Sequence, residues 1–373
     1  MFATITTGLL TGIAFGVLLY KVGATRYSRV MGMLTLRDTK IMKFAFTTIA
    51  VASLIYGLAA LMGVSGLETR VMPYLGGAHI LGGILFGSAL GVTGLCPGTC
   101  AAKAGGRSGE KRLAAPTALI GLVVGVVAYA WLKQPLIDAG IIAKTPRMLT
   151  LHGYLGLPYG VVAVVFGALI LAIVLLVDRY TKETHYTPAQ EKASALDWFR
   201  GEWSFLAGGT IAALLIVLAT YQGTYLGFSG SLLALVGTAA NGLGLEFTMV
   251  PKVTDGIIWR AALIVGALLG GYASTVFSTY SKGFEGVGRT ESKIDPKFLA
   301  TTFTGTTVMA LGAMIGGGCT TGAFLSAWPT LSLGSFAMAL TFFGTSMAVS
   351  QVRVFAQRLD IRAAQQVGER VYD

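Results

Sequence analysis

Every thiol in the chain falls in one of two similar glycine-rich settings. Cys96 lies in Gly94-Leu95-Cys96-Pro97-Gly98-Thr99-Cys100, and Cys319 lies in Gly316-Gly317-Gly318-Cys319-Thr320-Thr321-Gly322, each after a long apolar run. A lone buried cysteine is usually a small packing residue, but two in matching glycine breaks point to shared chemistry. Cys96 and Cys100 are four residues apart and can share a helix face. That spacing raises a metal or redox reading, yet zinc takes about four ligands and no third Cys or His lies nearby. Metal binding is disfavoured, no cofactor is called for, and Cys100 is assigned an auxiliary place beside Cys96.

The glycines explain how such thiols become available. Glycine reaches backbone conformations closed to other residues, and Pro97 cannot donate a helical hydrogen bond. A break followed by a new half-helix leaves N–H groups unpaired, which a membrane tolerates only where they line a cavity or hold a ligand. Helix N-termini favour anions. Two opposed ones would hold an oxyanion between them, with Thr99, Thr320 and Thr321 adding hydroxyl donors and Gly94, Gly98, Gly317, Gly318 and Gly322 supplying the bends.

The elements that position these motifs are membrane helices. Hydrophobic residues make up 54% of the 373 and charged residues only 12%, against about a quarter charged in soluble domains. Mean hydropathy is +0.70. Residues 298–352 contain no Asp, Glu, Lys or Arg, enough for two crossings at about 20 residues each. With charged clusters as punctuation, the expected spans are 3–20, 44–63, 74–95, 115–132, 156–177, 203–221, 257–280, 298–317 and 331–352. The fold class is thus an all-α polytopic membrane protein of about nine transmembrane helices, with short re-entrant half-helices after each glycine break and near Leu226–Val236. The first apolar run lacks a basic leader and an Ala-x-Ala site, so it reads as a span rather than a cleaved signal.

Basic residues follow the first, third, fifth and seventh spans (Arg26 and Lys40; Arg107 and Lys111; Lys182 and Lys192; Lys282 and Arg289) and recur in the tail at Arg353 and Arg358. The positive-inside rule then puts the N-terminus outside and the C-terminus in the cytoplasm. The net charge of +11 is the excess expected on that face beside anionic lipid, and it requires no nucleic acid. Trp131, Trp198, Trp203 and Trp328 fall near span ends, as an interfacial belt would place them.

With the cysteine motifs as anchors, the chain divides into a four-span repeat over residues 1–150, a linking span and cytoplasmic linker over 151–202, and a second four-span repeat with the tail over 203–373. An odd span between the halves inverts them, a 4+1+4 plan shared with secondary transporters whose sites lie near the midplane. No Asp or Glu lies well inside a span. His79, within the third span, is the candidate proton-linked residue, set against a neutral imidazole bonded between helices.

The two motifs, on a basic chain of this size, resemble the YeeE/YedE family of bacterial sulfur-compound transporters. The resemblance implies uptake across the inner membrane of thiosulfate, or a related small sulfur anion, through a narrow cysteine-lined path, with Cys96 and Cys319 matching the family's two motif cysteines. It also implies a small TusA-like cytoplasmic sulfur carrier as partner. Members of the family commonly carry a further cysteine shortly after the first span, where this chain reads Lys21-Val22-Gly23-Ala24-Thr25-Arg26 and has none. That departure leaves open a selenium compound or another solute, and a membrane sulfurtransferase forming a persulfide or an accessory subunit also stands beside transport. A thiosulfate site would use neutral thiols, because like charges 4 Å apart repel by about 4 kcal/mol at an effective dielectric of 20. Moving a dianion inward against the potential costs about 2.3 kcal/mol per charge per 100 mV, so a source of free energy is required.

Overall fold

The computed structural model describes residues 2–67, 69–106, 114–181, 201–244, 253–277 and 296–371. Arg107, Lys111, Lys182, Lys192, Trp198, Lys282 and Arg289 lie outside them, as does most of the linker. The described residues form helices joined by loops, without a sheet; the loops carry two isolated β-bridges (Tyr74 with Arg147 and Thr150 with Ser332).

In chain order the helices are α1 (Phe2–Lys21), α2 (Tyr27–Leu34), α3 (Lys40–Leu61), α4 (Ala78–Thr93), α5 (Pro97–Gly105), α6 (Ala114–Asp138), α7 (Leu151–Leu155), α8 (Tyr159–Tyr180), α9 (Phe205–Tyr221), α10 (Phe228–Gly242), α11 (Asp255–Phe277), α12 (Pro296–Gly316) and α13 (Leu333–Val371). Among the described residues, eight segments are long and apolar enough to cross a membrane, α4 and α5 together counting as one. A further apolar helix, α9, has 17 residues, at the short end of the roughly 17–25 that suffice. This is a multi-pass membrane protein. Two elements extend beyond the expected spans: α2 lies between the first two long helices, and α13 runs through the basic tail to Val371.

Small residues govern how the helices meet. Gly8, Gly12 and Gly16 repeat at four-residue intervals on α1 and lie against Trp259, Leu263 and Ala267 of α11, where an added Cβ would stand 2.2 to 2.4 Å from a backbone oxygen. No side chain larger than hydrogen fits. Such seams suit a membrane, where close backbone approach replaces the missing hydrophobic drive. The order of these contacts makes α1 and α11 parallel. On α4, Gly82 meets Gly312 and Gly316 of α12, while Gly83, Gly87 and Gly91 meet Thr341 to Val349 of α13. Hence α4 runs antiparallel to α12 and parallel to α13. The main pairings are α1 with α11, α3 with α9, α4 with α13, α6 with α12, and α4 with α12, while α8 packs on α3.

At one end of the bundle a buried ionic network ties the start of α9 to α1, α2 and α3. Lys40, with a fully buried side chain, donates to Glu202 at 2.8 Å, and Arg26 and Arg29 approach the same carboxylate at 3.6 and 3.4 Å. Arg29 also pairs with Asp38 at 2.6 Å, and Lys43 pairs with Asp178 at 2.7 Å.

The tryptophan belt is not what the packing shows. Trp131 is exposed, but Trp203 is buried and so is Trp328, which stacks edge-on with Phe324 and Phe336 at 4.7 and 4.9 Å. Its indole N–H donates to the Ser335 carbonyl. Position near a span end does not distinguish an interfacial indole from one turned into a buried aromatic cluster.

Candidate functional site

Both cysteines occupy the same place in the same local device. Helix α4 ends at Gly94, whose φ of 63° is left-handed, and α12 ends before Gly317 at φ 90°. In each case the cysteine follows two residues later in extended backbone and caps the next helical segment. The amide of Cys100 donates to the Cys96 carbonyl at 2.8 Å, and the amide of Ala323 donates to the Cys319 carbonyl at the same distance. The left-handed turn requires glycine in both places, because a side chain there costs about 1–2 kcal/mol. Space forbids one as well: a Cβ on Gly94 would lie 2.7 Å from the Tyr27 ring, and on Gly317 2.7 Å from Met72.

Supports on each side hold the breaks open. The carbonyls freed at the end of α4 are taken by Arg353, which donates to Val92 and Gly91, and by Ser350. At the end of α12, His79 accepts the Leu75 amide at Nε2 and lies 2.8 Å from the Gly316 carbonyl at Nδ1. His79 thus bridges α4 and α12.

The segments after the two breaks differ. Pro97 opens the nine-residue α5 at a position where its missing N–H is no loss. Thr99 completes a reciprocal cap: its amide points at the Cys96 sulfur, and its hydroxyl accepts the Cys96 amide at 2.9 Å. Gly98 packs against the Phe228 ring. After Cys319 the chain makes a seven-residue π-helical turn, Thr320–Ser326, instead of the expected α-helical half-helix. Ser326 at its end donates to the Leu226 carbonyl at 2.5 Å, binding this turn to the start of α10, and Gly322 faces Gly227 there.

Because α4 and α12 are antiparallel, their breaks open at opposite ends and reach toward each other. The Thr320 hydroxyl is within hydrogen-bond reach of the Cys96 thiol, where the Thr99 hydroxyl also stands at 3.3 Å. One residue of the second motif thus completes the surroundings of the first motif's cysteine. Cys319 is fully buried, Thr321 is buried, and Cys96 is partly open. Cys100, four residues beyond Cys96 on α5, is fully buried within the hydrophobic core, as Cys319 is.

A cavity of about 200 Å³ reaches Gly317, Gly318 and Gly322, several times the roughly 30 Å³ share of one water. Its other walls include Arg70, Lys133, Tyr225 and Ser229, which the motifs did not flag. A signal existed for a neighbour of that group, Arg260: it sits within the expected span 257–280, and a cation inside a span is a functional candidate by default.

A broken-helix pair meeting through two cysteine motifs inside a multi-pass bundle marks a membrane transport protein. Residues 25–348 match the Sulphur transport family over most of the chain, and the protein belongs to that family. The chain is also similar to the thiosulfate transporter TsuA of Spirochaeta thermophila, with 25% identity over 354 residues that cover 91% of this chain and 96% of that protein.

Proposed function

We propose that the protein carries thiosulfate into the cell along a path through the junction of the two glycine breaks. The contact that carries this reading is Thr320 beside Cys96, which joins motifs from opposite ends of the bundle at one point. Similarity to a thiosulfate transporter over nearly the whole chain supports the choice of ion.

At the junction the thiols act as neutral, soft S–H donors to the terminal sulfur of the ion, since a thiolate would repel a dianion. Thr99, Thr320 and Thr321 offer hydroxyls to its oxygens, and the α5 amides add their dipole at Cys96. Cys96 and Cys319 take the ion in turn. Cys100 shapes the wall behind Cys96.

The pairings of the helices support the 4+1+4 inverted plan. Exchanging α1, α3, α4 and α6 with α9, α11, α12 and α13 turns α1–α11 into α9–α3 and α4–α13 into α12–α6, all of which occur. Helix α8 is the linking span. The orientation follows from the basic loops: the end bearing Arg26, Lys40 and Lys43 faces the cytoplasm, and the membrane is the bacterial inner membrane. A TusA-like sulfur carrier at that face would take the outer sulfur of the arriving ion onto its thiol as a persulfide, with the S–S bond broken and sulfite released, and this consumption would keep the inside concentration low enough for inward movement to continue.

The test is uptake of doubly labelled thiosulfate into cells lacking other importers. Both labels should enter together with the wild-type protein. Entry of one sulfur label alone would indicate cleavage at the membrane, and no uptake above the background of cells without the protein would refute the proposal.

A further inference from the structure

Two cavities meet at the end of the bundle opposite the ionic network. The inner one, about 200 Å³, touches the Cys319 break, and the outer one, about 640 Å³, is lined by Gly66, Thr220, Thr224 and Arg260. Arg70 and Tyr225 line both, so these two side chains form the waist between them. The Arg70 guanidinium stacks 3.8 Å from the centre of the Tyr225 ring. Arg260 approaches the same ring at 4.9 Å and donates to the Tyr225 hydroxyl at 2.7 Å. The ring is held from one side and gripped at its tip from another.

Among the described residues, no carboxylate forms an ion pair with the charge at this waist. None of the ion pairs among the described residues includes Arg70, Lys133 or Arg260, although Asp138 and Asp255 lie on helices ending at this face; Glu68 is outside the described residues. Arg260 uses Nε on the Gly256 carbonyl and one Nη1 proton on Tyr225, which leaves three of its five donors. Guanidinium groups pair with tetrahedral oxyanions through two parallel N–H donors.

We infer that Arg70, Arg260 and Tyr225 form a capture site for a divalent tetrahedral oxyanion, placed ahead of the cysteine junction. The site rests on the proposed uptake only for its role in transport. Arg260 holds the ion's oxygens in the outer cavity, with Tyr225 fixing its fork, and Arg70 follows the ion inward when it leaves the ring face. Lys133 continues the positive path toward Ser229 and the Cys319 break. Oxygens are read here and sulfur deeper, so sulfate occupies the capture site as readily as thiosulfate but goes no further.

The experiment uses purified full-length protein and, separately, uptake in cells. Binding of sodium thiosulfate and sodium sulfate is measured by titration calorimetry on wild type, Arg70→Gln, Arg260→Gln and Arg260→Lys. At the capture site wild type should bind both ions with similar affinity. Each Gln variant should weaken both about tenfold, the loss of one charge-assisted contact, and Arg260→Lys should recover only part of it. Rising salt should weaken binding to wild type more than to either Gln variant. In cells, external sulfate should inhibit thiosulfate uptake competitively in wild type, and about tenfold more sulfate should be needed in Arg70→Gln. If Arg260→Gln does not reach the membrane, Arg70→Gln decides, because Arg70 is exposed. Unchanged affinities in the Gln variants would overturn the capture site, whatever the transport result. Anion binding that depends on the arginines in a protein that moves no thiosulfate would uphold the site and sink only the uptake reading.

Discussion

Thr320 stands against the Cys96 thiol, although one belongs to a break at the end of α12 and the other to a break at the end of α4. The contact brings the two halves together at one point. Thr320→Val keeps the shape and removes the hydroxyl, and one side-chain hydrogen bond is worth about 0.5–1.5 kcal/mol. Thiosulfate uptake should fall between roughly twofold and tenfold with membrane abundance unchanged. Thr320→Ser should retain most of the rate. A Val variant equal to wild type in initial-rate assays would remove the hydroxyl from the path.

The cysteines themselves should matter more. Cys96→Ala and Cys319→Ala are each expected to abolish uptake or reduce it more than twentyfold, about 1.8 kcal/mol or more, while protein levels in the membrane stay near normal. Cys96→Ser should restore little, because a hydroxyl is a hard partner for a soft sulfur. Competition by sulfate supplies the check on selectivity. Full thiosulfate uptake by the serine variant with unchanged preference would show that sulfur contact is not the discriminating step.

Gly94→Ala and Gly317→Ala test whether the breaks are built by conformation and space together. Both positions have left-handed φ and meet a neighbour at 2.7 Å, whereas Gly63 has φ 69° with nothing within 4 Å of an added Cβ. Gly63→Ala should therefore lose only about 1–2 kcal/mol, and the two break variants should lose more. Thermal unfolding in detergent orders the three. Equal midpoints would mean that packing at the breaks adds nothing to the strain.

Glu202 is 2% exposed and gathers Lys40, Arg29 and Arg26. Removing one partner of a buried ion pair costs about 3–5 kcal/mol because the charge left behind stays desolvated. Glu202→Gln should lower the unfolding midpoint sharply, and Lys40→Met in the same chain should recover part of the loss. A double variant no more stable than Glu202→Gln alone would show that Lys40 is not the stranded charge.

Much of the bundle was legible because lipid imposes one strong rule: apolar runs of sufficient length between charged clusters become helices. The expected 44–63 is Lys40–Leu61 in the structure, and 257–280 is Asp255–Phe277. The cysteine breaks were legible through glycine, whose left-handed turns at Gly94 and Gly317 only that residue adopts easily. The waist at Arg70 and Tyr225 was not. Each is unremarkable in its own loop, and their meaning arises when the ends of α3 and α9 are brought together around Arg260. Trp328 misled for a related reason, since hydropathy near a span end is the same whether an indole faces lipid headgroups or a buried cluster.

The orientation of the halves decides from which side each break is reached. The proposed orientation would put Arg107, Lys192 and Arg289 in cytoplasmic loops, and an odd linking span would then bring the Cys96 and Cys319 motifs to the midplane from opposite sides. Lys144 is exposed in the loop between α6 and α7, on the same side as Arg70, because α3 and α6 both end at that face. Single cysteines introduced at the four positions into a Cys-free chain should divide under an impermeant thiol reagent applied to intact cells. Lys144→Cys should label, and Arg107→Cys, Lys192→Cys and Arg289→Cys should label only after the membrane is opened. Abundance and stability of each variant are measured first, since the Cys-free background is not expected to transport. Labelling of any two of the three cytoplasmic positions from outside would reverse the assignment, and the arginine waist would then face the cytoplasm, where it would serve release instead of capture.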